Sequence, residues 1–342
     1  MLRYLVTGGN GYIGSITILE IAATTLTECI IYNVDKVNDI DRVHYLKQKV
    51  EQISNGLARM KFIHCDLTCR NKVLNSLPDS IQSVIHLAAE KSIPESIEKP
   101  YIYWSNHVST LSNILEYMDK IKCKKIVFAS TAAVYNAICE DSTEDSNLLE
   151  PSEMTPYGMA KFICEQILEN WTKDDKSAIS LRIFNPVGAW IDKEKDIYMG
   201  EQMEKATSLI PTIIKKLMKK DDIKIFKSKD SISQDGTAFR DFIHVRDVAE
   251  MIVKTTVTPI RTPSYYLYNI CTNIPTTVLQ IANIVAYEYG VSVKVSEESR
   301  PGDLPYSVGV NYLYLKHYGP KEFKSIETMV FDASAYYEKV RS

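Results

Sequence analysis

Eight residues near the start of the chain, TGGNGYIG at 7–14, limit what it can fold into more than any other stretch. They follow the run LRYLV at 2–6, apolar from Tyr4 onward, which predicts a buried parallel strand. Residues 12–23 then have a mostly apolar, helical composition. Glycines at this spacing meet three needs: a tight turn, backbone close enough to touch a pyrophosphate, and close packing of the next helix on the strand. The free amides and positive dipole end of that helix would face the phosphates. A strand, a glycine turn and a helix in this order predict a dinucleotide site.

The pattern continues in the same manner. CIIYNV at 29–34 reads as a second strand ending at Asp35, about 20 residues past the glycine turn, where such folds hold the adenosine ribose hydroxyls with a carboxylate. A 2′-phosphate would be repelled there, so Asp35 favours NAD over NADP, and the single neighbouring Lys36 does not remove that carboxylate. Further strands are expected at 61–64, 81–89, 125–130 and 178–184, alternating with helical segments at 43–53, 101–121 and 156–171. This alternation predicts an α/β fold with a doubly wound parallel sheet, whose ligands sit beyond the carboxyl ends of its strands. Residues 136–156 are acidic and aperiodic and read as a loop.

A chain of 342 residues exceeds one ordinary core and suggests two domains. Residues 1–185 are expected to form the dinucleotide-binding domain and 186–342 a smaller α/β substrate domain. Strand-like segments at 239–245 and 265–270 are expected to cross back to the first. Hydrophobic content of 45%, charged content of 24% and a net charge of −3 suit a soluble enzyme and give no pull toward nucleic acid or an anionic membrane. No apolar stretch approaches the roughly 20 residues that span a bilayer. The strand opening at Leu2 runs straight into the glycine turn, so no secretory leader is expected. Seven cysteines without a C-x-x-C pair fit reduced thiols in the cytoplasm, and six histidines lack metal-ligand spacing, so no metal is expected.

Tyr157 and Lys161 carry the chemistry. Four residues apart on a helix opened by Pro156, they share one face. An ammonium beside a phenol would lower the tyrosine pKa and make a general base for an alcohol proton. Tyr32/Lys36, Tyr45/Lys49 and Tyr312/Lys316 share the spacing, so position decides: only Tyr157 follows a strand that ends in Ser130 and Thr131. A hydroxyl there could bridge substrate and phenol.

These motifs resemble the extended short-chain dehydrogenase/reductase family, and within it the UDP-hexose 4-epimerase branch. The likeness runs through TGGNGYIG, Asp35, CDL at 65–67, HLAAEK at 86–91, FASTAAVY at 128–135 and PYGMAK at 156–161. It continues through RIFNPVGA at 182–189, DGTAFRDFIHVRD at 235–247, YNI at 268–270 and RPGDLP at 300–305. The resemblance implies that Gly8, Gly11, Tyr12, Ile13 and Gly14 hold the NAD pyrophosphate, Asp35 the ribose, and Asp66 with Leu67 the adenine, with Lys91 also on the cofactor. Thr131, Tyr157 and Lys161 match the catalytic set, the last two also meeting the cofactor. Asn185, Leu209, Arg240, Arg300 and Asp303 match positions that bind the nucleotide diphosphate or its sugar, where guanidinium forks suit phosphate. The implied reaction is NAD-dependent 4-epimerisation of a UDP-hexose through a 4-keto sugar, in a homodimer paired through the helices at 101–121 and 156–171.

Several positions depart from the family pattern. His107-Val108-Ser109-Thr110-Leu111 stands where Asn-Val-x-Gly-Thr is usual, Ile183 replaces a tyrosine, Ser208 an asparagine and Asn136 a glycine. Two other functions stay open: a different nucleotide-sugar enzyme of the family (dehydratase, reductase or decarboxylase), or an NAD-binding protein without activity. Ala132 and Ala133 speak against the dehydratase, which would need an acid pair after the threonine. Ser307, where family members that exclude N-acetyl sugars carry a tyrosine, implies that UDP-GlcNAc and UDP-GalNAc are accepted as well.

Overall fold

Apolar runs become parallel strands when helices cover both faces of the sheet, and the first half of the chain is built that way. In the computed structural model, which describes residues 1–136, 140–173, 175–203, 206, 208–219, 221, 223–260, 262–299 and 304–341, β1 (Leu2–Thr7) leads through the glycine turn into α1 (Tyr12–Thr24). There follow β2 (Cys29–Asp35), α2 (Ile40–Ile53), β3 (Ala58–His64), α3 (Arg70–Ser76), β4 (Ser83–His86), α4 (Ile93–Glu98), α5 (Pro100–Lys120) and β5 (Lys125–Thr131). Next come α6 (Pro156–Trp171), β6 (Ser177–Ile183), β7 (Asn185–Val187), β8 (Trp190–Asp192), β9 (Ile197–Met199), α7 (Leu209–Lys219) and β10 (Lys224–Lys227). The remainder is β11 (Phe239–His244), α8 (Val245–Val257), β12 (Tyr265–Ile270), β13 (Pro275–Thr277), α9 (Val278–Glu288), β14 (Lys294–Ser299), β15 (Tyr306–Ser307), α10 (Tyr312–Tyr318) and α11 (Ile326–Arg341).

A seven-stranded sheet orders these as β12-β6-β5-β4-β1-β2-β3. β1 pairs in parallel with both β2 and β4, β2 with β3, and β4 with β5. Leu5, Val34, Val84, Ile126 and Phe128 point to one face and bury against Val73, Leu111, Ile114 and Leu168 of α3, α5 and α6. α5 begins with Pro100 in its first turn and α6 with Pro156, where a missing N–H costs nothing. Thr155 caps α6 by accepting from the Gly158 amide at 3.2 Å.

The chain forms two compact units that interleave in sequence. One comprises 1–134, 151–182 and 249–267, the other 135–150, 183–248 and 268–342. β12 adds to the edge of the seven-stranded sheet beside β6, whereas β11, expected to return with it, does not join that sheet. It pairs instead with β7, β13 and β15. Its buried residues Phe242 and Ile243 lie in the second unit, where Phe242 joins a core of Val187, Ile210, Ile214, Ile281 and Val330. In the first unit Lys125 donates from Nζ to the carbonyls of Thr255, Thr256 and Thr258 at 2.8, 2.7 and 2.7 Å, closing off the end of α8. Burial pushes the pKa of that lysine down to about 8. No helix among the described residues is long and apolar enough to cross a membrane.

Candidate active site

The glycine turn, expected to hold a dinucleotide, lies at the carboxyl end of β1. Gly8 has φ +69°, and a Cβ there would lie 2.8 Å from the backbone of Ala88 just past β4. A Cβ on Gly14 would meet the Gly8 carbonyl at 2.2 Å, so only glycine lets α1 pack this close to the turn. Gly11 caps α1 without a side-chain acceptor, leaving first-turn amides for an anion. Asp35 ends β2 with Oδ2 accepting from the Asn10 amide at 3.0 Å and Oδ1 from the Val37 amide at 2.9 Å. Two main-chain amides thus orient the carboxylate and leave further lone pairs for hydroxyl donors. Asp66 follows β3, its Oδ1 accepting from the Thr68 amide and hydroxyl, and these bonds hold its pKa below the usual carboxylate value. The Leu67 carbonyl accepts from Asn113 of α5 at 2.8 Å, and Lys91 lies 5.9 Å from the centre of the Tyr12 ring. Ile13 sits in the first turn of α1. Turn, amides and paired carboxylates suit a dinucleotide diphosphate with an unphosphorylated ribose.

Thr131, Tyr157 and Lys161 come together in the same unit. Thr131 ends β5; its Oγ1 accepts from the Ala133 amide at 3.1 Å, and its hydroxyl bonds the Tyr157 phenol. Ser130, weighed beside Thr131 from the sequence, is committed elsewhere: it donates to the Glu165 carboxylate. Glu165 also takes a bidentate pair from Arg182, Nε at 3.0 Å and Nη2 at 2.7 Å, so α6 is tied to both β5 and β6 from within the core.

The expected effect of Lys161 on Tyr157 differs in the structure. Burial pushes the phenol pKa up, and the Thr131 hydrogen bond works against that rise. Lys161 is 3% exposed and donates to the Ala129 carbonyl at 2.7 Å, with Nζ 4.7 Å from the centre of the Phe128 ring. Burial lowers its own pKa to about 8. Sharing a helix face was therefore not enough: the ammonium satisfies itself on the strand below, because a buried cation takes the first fixed acceptor it reaches.

Two histidines at this centre have roles that the sequence reading did not assign. His86 ends β4, its Nδ1 2.8 Å from Thr7 Oγ1, which also accepts from the amides of Leu87 and Ala88. With its lone pairs so used, Thr7 donates its proton to a neutral imidazole. Burial, then Lys161, push the His86 pKa down to about 3. His107, the departure from the family asparagine, is 3% exposed; its ring stacks on Tyr103 and meets the Tyr157 ring edge-on at 6.0 Å. Its Nδ1 lies 2.8 Å from the Tyr103 carbonyl, an acceptor only, so Nδ1 carries the hydrogen. Burial and Lys161 lower its pKa to about 4. The signal for both was present: a histidine closing a buried strand, and one at helical spacing inside an apolar face.

The residues expected to bind the substrate lie in the second unit. Asn185 opens β7 and donates to the Asp241 carbonyl at 3.0 Å. Arg240 and Ser307 are register partners in the parallel β11–β15 pair, and Arg240 Nη1 donates to the Phe239 and Leu304 carbonyls at 2.7 and 2.9 Å. Leu209 begins α7 and packs on the core of this unit. Arg300 and Asp303 lie outside the described residues. Tyr306, next to Ser307, is held in place: its hydroxyl donates to Asp141 at 2.5 Å and its ring packs edge-on against Phe239.

Residues 4–271 match the sequence profile of a family described as NAD dependent epimerase/dehydratase. The chain is 31% identical to the UDP-glucose 4-epimerase of Yersinia enterocolitica, covering 89% of this chain and 88% of that one. It is 30% identical to the Drosophila melanogaster UDP-glucose 4-epimerase, covering 96% and 94%. Among solved structures it is similar to a Stenotrophomonas maltophila UDP-glucose-4-epimerase with bound NAD and formylated UDP-arabinopyranose, at 27% identity, TM-score 0.86 and coverage of 100% and 99%. The Bifidobacterium longum UDP-glucose 4-epimerase with NAD+ and UDP gives 27%, 0.84 and 98% of both chains.

Proposed function

The chain belongs to the NAD dependent epimerase/dehydratase family, and from that premise we propose that it interconverts UDP-glucose and UDP-galactose at sugar C4 with NAD held throughout. The observation that carries this reading is the Thr131–Tyr157 hydrogen bond, with Lys161 one turn further along the same face of α6. When bound, NAD supplies the site that takes hydride from C4 and gives it back. Tyr157 takes the 4-hydroxyl proton and later returns it, while Thr131 orients the phenol and the reacting hydroxyl. Lys161 supplies the positive charge that favours phenolate once its ammonium turns from Ala129 toward the ring. Between the two proton transfers the 4-keto sugar presents its other face, so binding must rest on the nucleotide, for which Asn185, Leu209, Arg240, Arg300 and Asp303 are the candidates. NAD rather than NADP follows from Asp35.

Three finer points belong to the same reading. Ser307 removes an aromatic ring from the sugar-binding wall, and Tyr306 is pinned by Asp141, so N-acetyl substrates fit. The working form is a homodimer in the cytoplasm. Tyr101, Ile102 and Trp104 at the start of α5 are 78%, 49% and 37% exposed and supply apolar surface for it. Leu111 and Ile114, further along the same helix, are buried in the core of the first unit. Purified protein incubated with UDP-galactose should yield UDP-glucose without added reductant. A product of different mass, or none, would favour one of the other family chemistries or an inactive binder.

A further inference from the structure

Lys36 and Glu90 were assigned no role above. Lys36 directly follows β2, and Glu90 lies four residues past the end of β4. In the sheet β1 lies between β2 and β4, so any bond joining these two positions spans the carboxyl end of β1. That end carries the glycine turn. The bond exists: Lys36 Nζ is 2.6 Å from Glu90 Oε1.

Both ends are braced. Asn106 of α5 donates to the same Glu90 oxygen at 3.1 Å, and His64 Nε2 sits 3.1 Å from the Lys36 carbonyl at the end of β3. The Lys36 side chain is 54% exposed and Glu90 22%, so the carboxylate is the more buried half of the pair. A bare carboxylate beside a diphosphate would repel it, and an ammonium held on that carboxylate cancels the repulsion.

We infer that Lys36 and Glu90 form an ionic bridge across the dinucleotide site and that this bridge slows departure of the bound dinucleotide. The inference rests on the cofactor reading above. A reaction that takes and returns hydride at one cofactor needs retention more than rapid exchange, and a bond across the exit meets that need without touching the reacting atoms.

The test measures dinucleotide release. Native protein loaded with NAD is diluted into excess unlabelled NAD, and loss of labelled NAD is followed for wild type, Glu90→Gln, Lys36→Met and the swap Lys36→Glu with Glu90→Lys. Each single variant should release NAD about fivefold faster at low salt, the scale of one partly exposed ion pair. The swap should return to within about twofold of wild type, the signature of a pairwise term. Raising ionic strength should speed release from wild type and leave Glu90→Gln unchanged. Equal release rates for wild type and the single variants, or slower release from either, would overturn the bridge while leaving the cofactor reading intact. Failure of wild type to hold NAD at all would overturn both.

Discussion

Lys161 donates to the Ala129 carbonyl at 2.7 Å, one turn of α6 below Tyr157. Lys161 is thus fixed by β5, the same strand that ends in Thr131. Strand and helix together set the spacing of these three side chains, with Thr131 and Lys161 buried and Tyr157 partly so.

Replacing Tyr157 with phenylalanine removes the proposed base and keeps the ring that His107 meets edge-on. Epimerisation should fall roughly 10²-fold or more, the scale of a general acid–base contribution, with NAD content unchanged. Steady-state assay of UDP-galactose conversion alongside cofactor analysis checks this. A rate near wild type would remove Tyr157 from its role.

Breaking the Glu165–Arg182 pair should cost far more stability than its replacement by apolar groups. The two side chains are 2% and 4% exposed, and Glu165→Gln leaves a buried guanidinium without its counter-charge. The expected loss is about 3–5 kcal/mol by urea denaturation, while Glu165→Leu with Arg182→Met should come close to wild type. If the single change costs under about 1 kcal/mol, the pair does not anchor α6.

Acid should destabilise the first unit through its two histidines. The folded-state pKa values of about 3 for His86 and about 4 for His107 lie below the ordinary 6.5, so between these limits the unfolded chain binds more protons. Their contribution is complete above pH 6.5 and is lost as pH falls toward 4 and 3. Asp241 acts in the opposite sense, since burial raises its carboxyl to about 6. His107→Asn isolates one share: relative to wild type it should gain on the order of 3 kcal/mol between pH 7 and pH 4. Parallel denaturant curves for the two proteins would show no such divergence if His107 were solvated.

Ser307→Tyr should suppress activity on UDP-GlcNAc and spare UDP-glucose by comparison. Tyr306 cannot refill the space without breaking its hydrogen bond to Asp141. The ratio of kcat/KM for the two sugars reports this directly. Equal loss on both, or a parent enzyme inactive on UDP-GlcNAc, would show that Ser307 is not the gate.

What the sequence by itself determined is local and periodic. The glycine turn, the acid ending β2, the Tyr157–Lys161 spacing and the strand–helix alternation were legible because each depends on residues a few positions apart. Buried parallel strands announce themselves as apolar runs, and glycine is demanded wherever backbone meets backbone, as Gly14 meets Gly8. Only the tertiary structure decided which hydroxyl meets the Tyr157 phenol, since Ser130 and Thr131 are adjacent and Glu165 claims the first. It decided that Lys161 rests on Ala129, that β12 joins the central sheet while β11 does not, and that Lys36 meets Glu90 across β1. Those choices turn on which acceptor a buried donor reaches first and which strand edge is open, and distances between segments far apart in the chain exist only once it is folded.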